Sequence, residues 1–393
     1  MPLTDTRVAV VGGSVAGCAV AVALRNAGCE PTVFERSRGE LLDRGAGITM
    51  PVPVRDALVA AGYLDADLPT IPITAIDWLV RAPDGDGGRR VGEQPFPALA
   101  TNWAVLWRAL RARVPEGAYR AGRAVAAVAP DGPAVTLDDG SVERFDAVVG
   151  ADGYRSLVRA LLGSPAEPSY AGYVLWRGDL PQDASRWPIS DRAVAVGFPR
   201  GHAVFYRMPG PAGAGERLNW GLYAPPPPGL TAEHAMSLPR GSLGDGLVAE
   251  VRRLAAEALP PVWAEAVRAT PRSLLHVQPI YDQTVPAYAD GRVLLAGDAG
   301  ALARPHTGSG AVKAMQDALA LERACREEDS WERAAARYDA ERRTFGNALV
   351  GFGRALGRQR VEAVPDLARM SPEGFAAWLN ASLDGQQNPY TPR

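Results

Sequence analysis

A chain of 393 residues that is 47% hydrophobic and 22% charged has the composition of a globular protein with room for two or three domain-sized units. Its net charge of −2 offers no basic footprint for nucleic acid or a membrane surface, and no unbroken apolar run reaches the roughly 18 residues of a membrane span. Cys18, Cys29 and Cys325 are dispersed, with no CxxC pair and no His/Cys cluster, which argues against a metal centre and against dithiol redox chemistry.

The N-terminus has neither a charged n-region nor an apolar h-region, so a cytoplasmic protein is expected. A buried parallel-type strand is predicted over Arg7–Val11, a helix of small and apolar residues over Val15–Ala27 with Gly28 beyond its end, and a second strand over Thr32–Glu35. This is one βαβ unit with an acidic end. A glycine-bearing loop and a short helix near Val54–Ala61 follow. A hairpin is predicted over Thr74–Val91, then an amphipathic helix over Thr101–Val114, stopped by Pro115. Short strands lie near Ala124–Val128, Ala134–Leu137 and Val142–Glu143. Asp146–Gly150 is apolar and strand-like, with Asp152 just beyond it, and "YRSLVRALLG" reads as a helix. Residues 170–224 hold several antiparallel-looking segments rich in Trp, Tyr and Val. Helices are predicted near Leu247–Ala258 and Val262–Ala269, strands near Ser273–Ile280 and Val293–Ala296, and mostly helix from Thr307 on.

The turn Gly12-Gly13-Ser14-Val15-Ala16-Gly17 stands between strand and helix, where backbone N–H groups and a helix dipole can hold a pyrophosphate. Serine replaces the central glycine of the ideal GxGxxG. Glu35, eighteen residues beyond Gly17 and followed by Arg36, is placed to accept ribose hydroxyls. By itself this pattern serves FAD or NAD equally.

Two further acids at strand ends narrow the choice. With "GGSVAG", the stretches "GADGYRSLVR" and "GDAGALARPHTGSG" resemble, in order, the three fingerprints of the single-component (group A) flavin-dependent aromatic hydroxylases. "YAGYVLWRGDL", "GHAVFYRMP" and "RPHTGSGAVKA" are similar to the branch around 2,6-dihydroxypyridine 3-hydroxylase. The resemblance implies an α/β fold: a Rossmann-like FAD-binding domain of the p-hydroxybenzoate hydroxylase type, an inserted β-rich substrate domain and a helical C-terminal region. The FAD-binding domain is then expected in three segments, 1–73, 97–165 and 281–355. The substrate domain is expected at 74–96 and 166–280, and a helical segment and tail at 356–393.

The resemblance also implies residue roles. Besides the first turn, Glu35 and Arg36, FAD would be held by Gly45, Gly47, Ile48, Arg108, Val125, Asp152, Gly153, Asp298, Pro305, Gly308, Gly310 and Ala311. Asp298 would accept from a ribityl hydroxyl, a charge-assisted bond of about 1.5–3 kcal/mol. The helix start after Thr307 would turn its dipole toward the flavin edge that becomes negative on reduction. Lys313, the single lysine of the chain, is either a solvated side chain on the first helical turn or a flavin contact. NADPH or NADH would reduce the flavin, dioxygen would form a flavin C4a-hydroperoxide, and a small aromatic substrate would be hydroxylated. Arg177, Tyr206, His306 and His202 are the candidates for the chemistry, and Trp176, Trp220 and Tyr223 for the pocket wall. No metal, nucleic acid or membrane partner is expected, and the chain is expected to be a monomer or homodimer. Alternatives are epoxidation or oxidative tailoring of a larger secondary metabolite, and a flavin-binding protein without monooxygenase turnover.

Overall fold

The protein is described here from a computed structural model, which covers residues 3–41, 47–83, 85–129, 133–164, 167–211, 215–228, 230, 238 and 240–381. Strand β1 (Arg7–Val11) and helix α1 (Val15–Asn26) lead into β2 (Glu30–Glu35). After β3 (Gly47–Pro51) and α2 (Val52–Ala60), the pair β4 (Ile71–Val80) and β5 (Arg89–Asn102) runs straight into α3 (Trp103–Arg111). The short strands β6 (Tyr119–Ala121), β7 (Val125–Val128), β8 (Ala134–Leu137) and β9 (Val142–Arg144) precede β10 (Ala147–Gly150). Next come β11 (Ser169–Pro181), β12 (Arg192–Phe198), β13 (Gly201–Pro209) and β14 (Glu216–Ala224). They are followed by α4 (Asp245–Ala258), α5 (Pro261–Ala269), β15 (His276–Asp282), β16 (Ala289–Asp290) and β17 (Val293–Leu295). The chain closes with α6 (Gly310–Glu327), α7 (Trp331–Gly357) and α8 (Pro372–Ala381).

One sheet of six strands has the order β16-β17-β10-β1-β2-β6, parallel except for β16. Its central strands are apolar on both faces because helices cover them. Helix α1 is buried almost throughout, its small residues packing with α6 and α3 in one core. A β7-β8-β9 sheet lies beside it.

The second sheet has eight strands in the order β15-β11-β14-β13-β12-β4-β5-β3. Within residues 170–224 the pairings are antiparallel, but β12 joins β4 in parallel. Side chains two apart share a face. One face carries Val174, Trp176, Val196, Phe205, Trp220 and Leu222, packed with α4 and α5. The other carries Tyr173, Leu175, Arg177, His202, Tyr206 and Tyr223.

Two expected elements differ. Strand β5 continues to Asn102, well past the expected hairpin end and into the expected helix. Pro95 and Pro97 weaken its strand signal, and Pro95 sits beside a register shift in the β4 pairing. "YRSLVRALLG" forms only a 3-10 turn, Arg159–Leu162. There Asp152 takes the N–H of Leu157 (2.8 Å) and the Ser156 hydroxyl, so local side-chain bonds displace the helical ladder. The C-terminal segment covers the β-rich sheet: Leu367, Phe375 and Leu379 pack on Trp78, Val80 and Ala195.

Candidate active site

Three stretches distant in sequence meet above the ends of β1, β10 and β17. Gly12 has φ +103°, and a Cβ there would collide with the Ala151 carbonyl, so the first turn lies directly on the Asp152 loop. A Cβ on Gly297 would stand 2.7 Å from that of Ala16, which puts the Asp298 loop against the same turn. Arg159, 1% exposed, ties the last two together: it donates to the Tyr154 carbonyl at 2.6 Å and to the Asp298 carbonyl at 3.3 Å. Arg159 was not singled out in the sequence, because an arginine in "SLVRALL" reads as helix surface.

Within the first turn, Gly13, Val15 and Gly17 are buried while Gly12, Ser14 and Ala16 are partly open. Val15 is in the core, so only its backbone can reach a ligand. Ser14 is the N-cap of α1, yet its side chain does not cap the helix. Glu35 is buried, and its carboxylate accepts from Gly13 N–H and Ser37 N–H, both at 2.9 Å. It therefore braces the turn, and a carboxylate with four acceptor positions has room for more. Arg36 is exposed, Arg108 is half-buried with Glu40 4.0 Å away, and Val125 is half-buried at the start of β7. Gly45 lies outside the described residues.

Asp298 is half-buried, and among the described residues its carboxylate has no hydrogen-bond or ion-pair partner. Desolvation raises its pKa, opposed by the charge of Lys313. Asp152 differs: its carboxylate is committed to its own turn, and burial raises its pKa although Ser156 bonds to it. Gly153 beside it has φ +80°. Lys313 is not solvated. It is fully buried, and its Nζ donates to Tyr288 Oη (3.0 Å), the Gly297 carbonyl (2.7 Å) and Asp317 (3.0 Å).

Pro305 and His306 follow in a 3-10 turn that ends on Gly308 (φ +63°), and α6 starts at Gly310 and Ala311. The turn is fastened by Arg304, which donates to Asp282 and Glu362, both at 2.7 Å, and to Tyr173 Oη at 3.3 Å. Since Arg304 donates to that oxygen, the Tyr173 proton is free for His306 Nε2, 2.8 Å away. His306 then carries its hydrogen on Nδ1, which is buried without a partner. The His306 ring lies 4.1 Å from that of Tyr223, and His202 lies 4.6 Å from Tyr223. His202 is buried and its Nδ1 faces the Arg360 carbonyl at 3.2 Å. Burial pushes His202 down to about 3 and, with nearby cations, lowers His306 well below its ordinary value. Burial thus favours the neutral form of both rings.

Gly47 marks where the substrate sheet meets the flavin-side loop. Its N–H donates to Asn219 at 2.9 Å, its carbonyl accepts from Arg177 at 3.4 Å, and Tyr206 Oη lies against its Cα. Ile48 continues β3 beside Thr101. Tyr223, whose pKa burial raises, lies within the field of Arg177 and Arg360. Arg177, Tyr206, Tyr223 and His306 thus come together. Trp176 and Trp220 do not: they are one residue out of phase, facing α4 and α5, and Trp220 Nε1 donates to Thr270 at 2.9 Å. Among the described residues no cluster fits a metal ion, and no helix is long and apolar enough to cross a membrane.

The arrangement fits FAD by its own geometry: closely approached glycines at an uncapped helix start, and an unpaired carboxylate at a neighbouring strand end. Comparison with known proteins agrees. Residues 250–353 match the FAD binding domain family, and residues 7–60 match the pyridine nucleotide-disulphide oxidoreductase family. The latter match runs from the βαβ unit through α2, and the three cysteines are free. The chain is 31% identical to 2,6-dihydroxypyridine 3-monooxygenase of Paenarthrobacter nicotinovorans, over 81% of this chain and 82% of that one. It is also 31% identical to 3-amino-4-hydroxybenzoate 2-monooxygenase of Streptomyces cremeus, over 81% of this chain and 78% of that one. The solved structure of 2,6-dihydroxypyridine-3-hydroxylase from Arthrobacter nicotinovorans superposes with a TM-score of 0.82 at 27% identity, over 93% and 95% of the two chains.

Proposed function

The chain belongs to the single-component FAD-dependent aromatic hydroxylases, and we propose that it uses NADPH or NADH and dioxygen to hydroxylate a small aromatic or N-heteroaromatic ring. FAD, when bound, supplies the redox and oxygen-transfer chemistry. The chain's own residues bind and position. The turn Gly12–Gly17, Arg36 and Arg108 would hold the adenosine and phosphate end, Glu35 acting both as brace and as ribose acceptor. Asp298 would accept from the sugar-alcohol chain. Asp152 and Gly153 would shape the loop beneath the phosphates, and Pro305, Gly308, Gly310 and Ala311 would line the ring.

The substrate would lie between that loop and the sheet face at Arg177, Tyr206 and Tyr223. His306 would offer its Nδ1 hydrogen to an oxygen of substrate or cofactor. The rings of Tyr173, Tyr223 and His202 keep that wall apolar and exclude water. The observation that carries this reading is the meeting of the Gly12, Asp152 and Asp298 loops around an unpaired carboxylate.

The test is to load the purified protein with FAD and follow NADPH and NADH oxidation with phenols, hydroxypyridines, hydroxybenzoates and polycyclic quinols. Ring-stimulated oxidation coupled to a hydroxylated product supports the proposal. Saturable FAD uptake without stimulation by any ring would leave a flavin-binding protein without monooxygenase turnover.

A further inference from the structure

Arg360 is buried without an anion among the described residues. It lies in the π-helical turn Arg358–Glu362 that follows α7, and is 7% exposed. Its guanidinium carbon stands 5.2 Å from the Trp78 ring centroid, Nη2 reaches Gln94 Oε1 only at 3.4 Å, and Nε has no partner. Among the described residues no carboxylate pairs with it. Two of the other buried arginines are matched by carboxylates, Arg304 by Asp282 and Glu362 and Arg342 by Asp317, and Arg159 is held by the Tyr154 and Asp298 carbonyls, whereas Arg360 has neither kind of close acceptor. Arg177, on the same sheet face, repeats the pattern, with an unpartnered Nε and a long contact to the Gly47 carbonyl. Tyr223 lies in the field of both cations.

A guanidinium taken out of water needs an opposite charge or it destabilises the fold, and an aromatic face recovers only part of that. Its planar fork suits a carboxylate, which it can hold by two parallel bonds. The surroundings of Arg360 are flat rings: Trp78, His202, 6.0 Å from Trp78, and Tyr223. We propose that Arg360 is the counter-charge for a carboxylate borne by the substrate, whose class is a hydroxylated aromatic acid. This rests on the hydroxylase reading and names the substrate class of the same site.

The test uses the FAD-loaded enzyme and two matched pairs of probes: 4-hydroxybenzoate with 4-hydroxybenzamide, and 6-hydroxynicotinate with 6-hydroxynicotinamide. Each is titrated against the absorbance of the bound flavin. In the wild type at least one acid should bind ten-fold or more tighter than its amide. Arg360→Gln should abolish that preference and Arg360→Lys should keep part of it. Should Arg360→Gln fail to fold, Arg360→Met takes its place. Without substrate, the unfolding midpoint of Arg360→Met should equal or exceed that of the wild type, because no native ion pair is lost. The proposal is overturned by equal affinities for acid and amide, by a preference that survives Arg360→Gln, by no binding of either pair, or by a midpoint several degrees lower. NADPH oxidation recorded in the same cuvettes separates the two readings. An Arg360-dependent preference without stimulated oxidation keeps this inference and sinks the hydroxylase. Oxidation stimulated equally by amides and acids does the reverse.

Discussion

Lys313 and Asp317 hold both backbone polar groups of one residue: Lys313 Nζ donates to the Gly297 carbonyl at 2.7 Å, and Asp317 accepts from the Gly297 N–H at 2.9 Å. The pair stands one helical turn apart on α6, and Arg342 from α7 closes the set with a 2.7 Å bond to Asp317. The residue so fixed directly precedes Asp298.

Removing the anion of this set should cost more than removing one cation. Asp317→Asn leaves Lys313 and Arg342 buried together with no charge between them, whereas Lys313→Met leaves the Asp317–Arg342 pair intact. Breaking such a pair costs about 3–5 kcal/mol, so Asp317→Asn should reach that range and Lys313→Met should fall below it. Urea unfolding of the two variants checks the order. The pKa of Lys313 is raised from 10.5, despite burial, by Asp317 and Tyr288. The stability it contributes is therefore complete below pH 10.5 and is lost as pH rises through the folded value, so the Lys313→Met and wild-type curves should converge only in strong alkali.

Asp298→Asn should show opposite effects on stability and binding. A carboxylate whose folded pKa is raised destabilises the native state at every pH above that value, and the penalty fades as pH falls toward 3.8. The FAD-free variant should therefore be more stable than wild type at pH 7. Its affinity for FAD should drop by ten- to a hundred-fold, the loss of about 1.5–3 kcal/mol from one charge-assisted bond. Apoprotein unfolding at pH 7 and FAD titration read the two effects separately. A variant that retains full FAD affinity would remove Asp298 from the ribityl chain.

Much of this geometry was legible in the order of residues. The βαβ unit and the strand ends at Gly150 and Leu295 follow from apolar runs bounded by glycine, since a strand buried on both faces has no other way to read. Single-letter spacing did not reveal which face of β11 and β14 looks toward the site. Arg177 and Trp176 are adjacent and equally suggestive, and only the register against β14 and β15 sends one to the site and the other to α5. Lys313, Arg159 and Arg360 were opaque for another reason. A long charged side chain reads as surface, and its burial depends on partners 16 to 139 residues away or, for Arg360, on the shape left by a covering segment.

That register makes its own prediction. Trp220→Phe removes the bond to Thr270 and some packing against α5, and should lower stability by about 1–2 kcal/mol while leaving kcat and KM unchanged. Arg177→Ala should leave FAD bound and stability nearly intact, yet slow hydroxylation or release reduced oxygen unproductively. Steady-state kinetics with peroxide detection on both variants distinguishes the faces. Coupled wild-type turnover in Arg177→Ala would take it out of the site.

Acid should unfold the protein through its buried histidines. The folded pKa of His202 is about 3, against 6.5 when free, because burial penalises the charged ring and Arg360 adds repulsion. The unfolded chain therefore binds a proton that the native one does not, and stability falls as pH drops from 6.5 toward 3. The slope from this ring alone is about 1.4 kcal/mol per pH unit. His276 and His306 are displaced in the same direction and steepen it. Unfolding free energies at pH 7, 6 and 5 should fall accordingly. His202→Gln, which cannot take up the proton in either state, should flatten the curve by one proton's share, and an unchanged slope would mean that the His202 ring is already charged in the native fold.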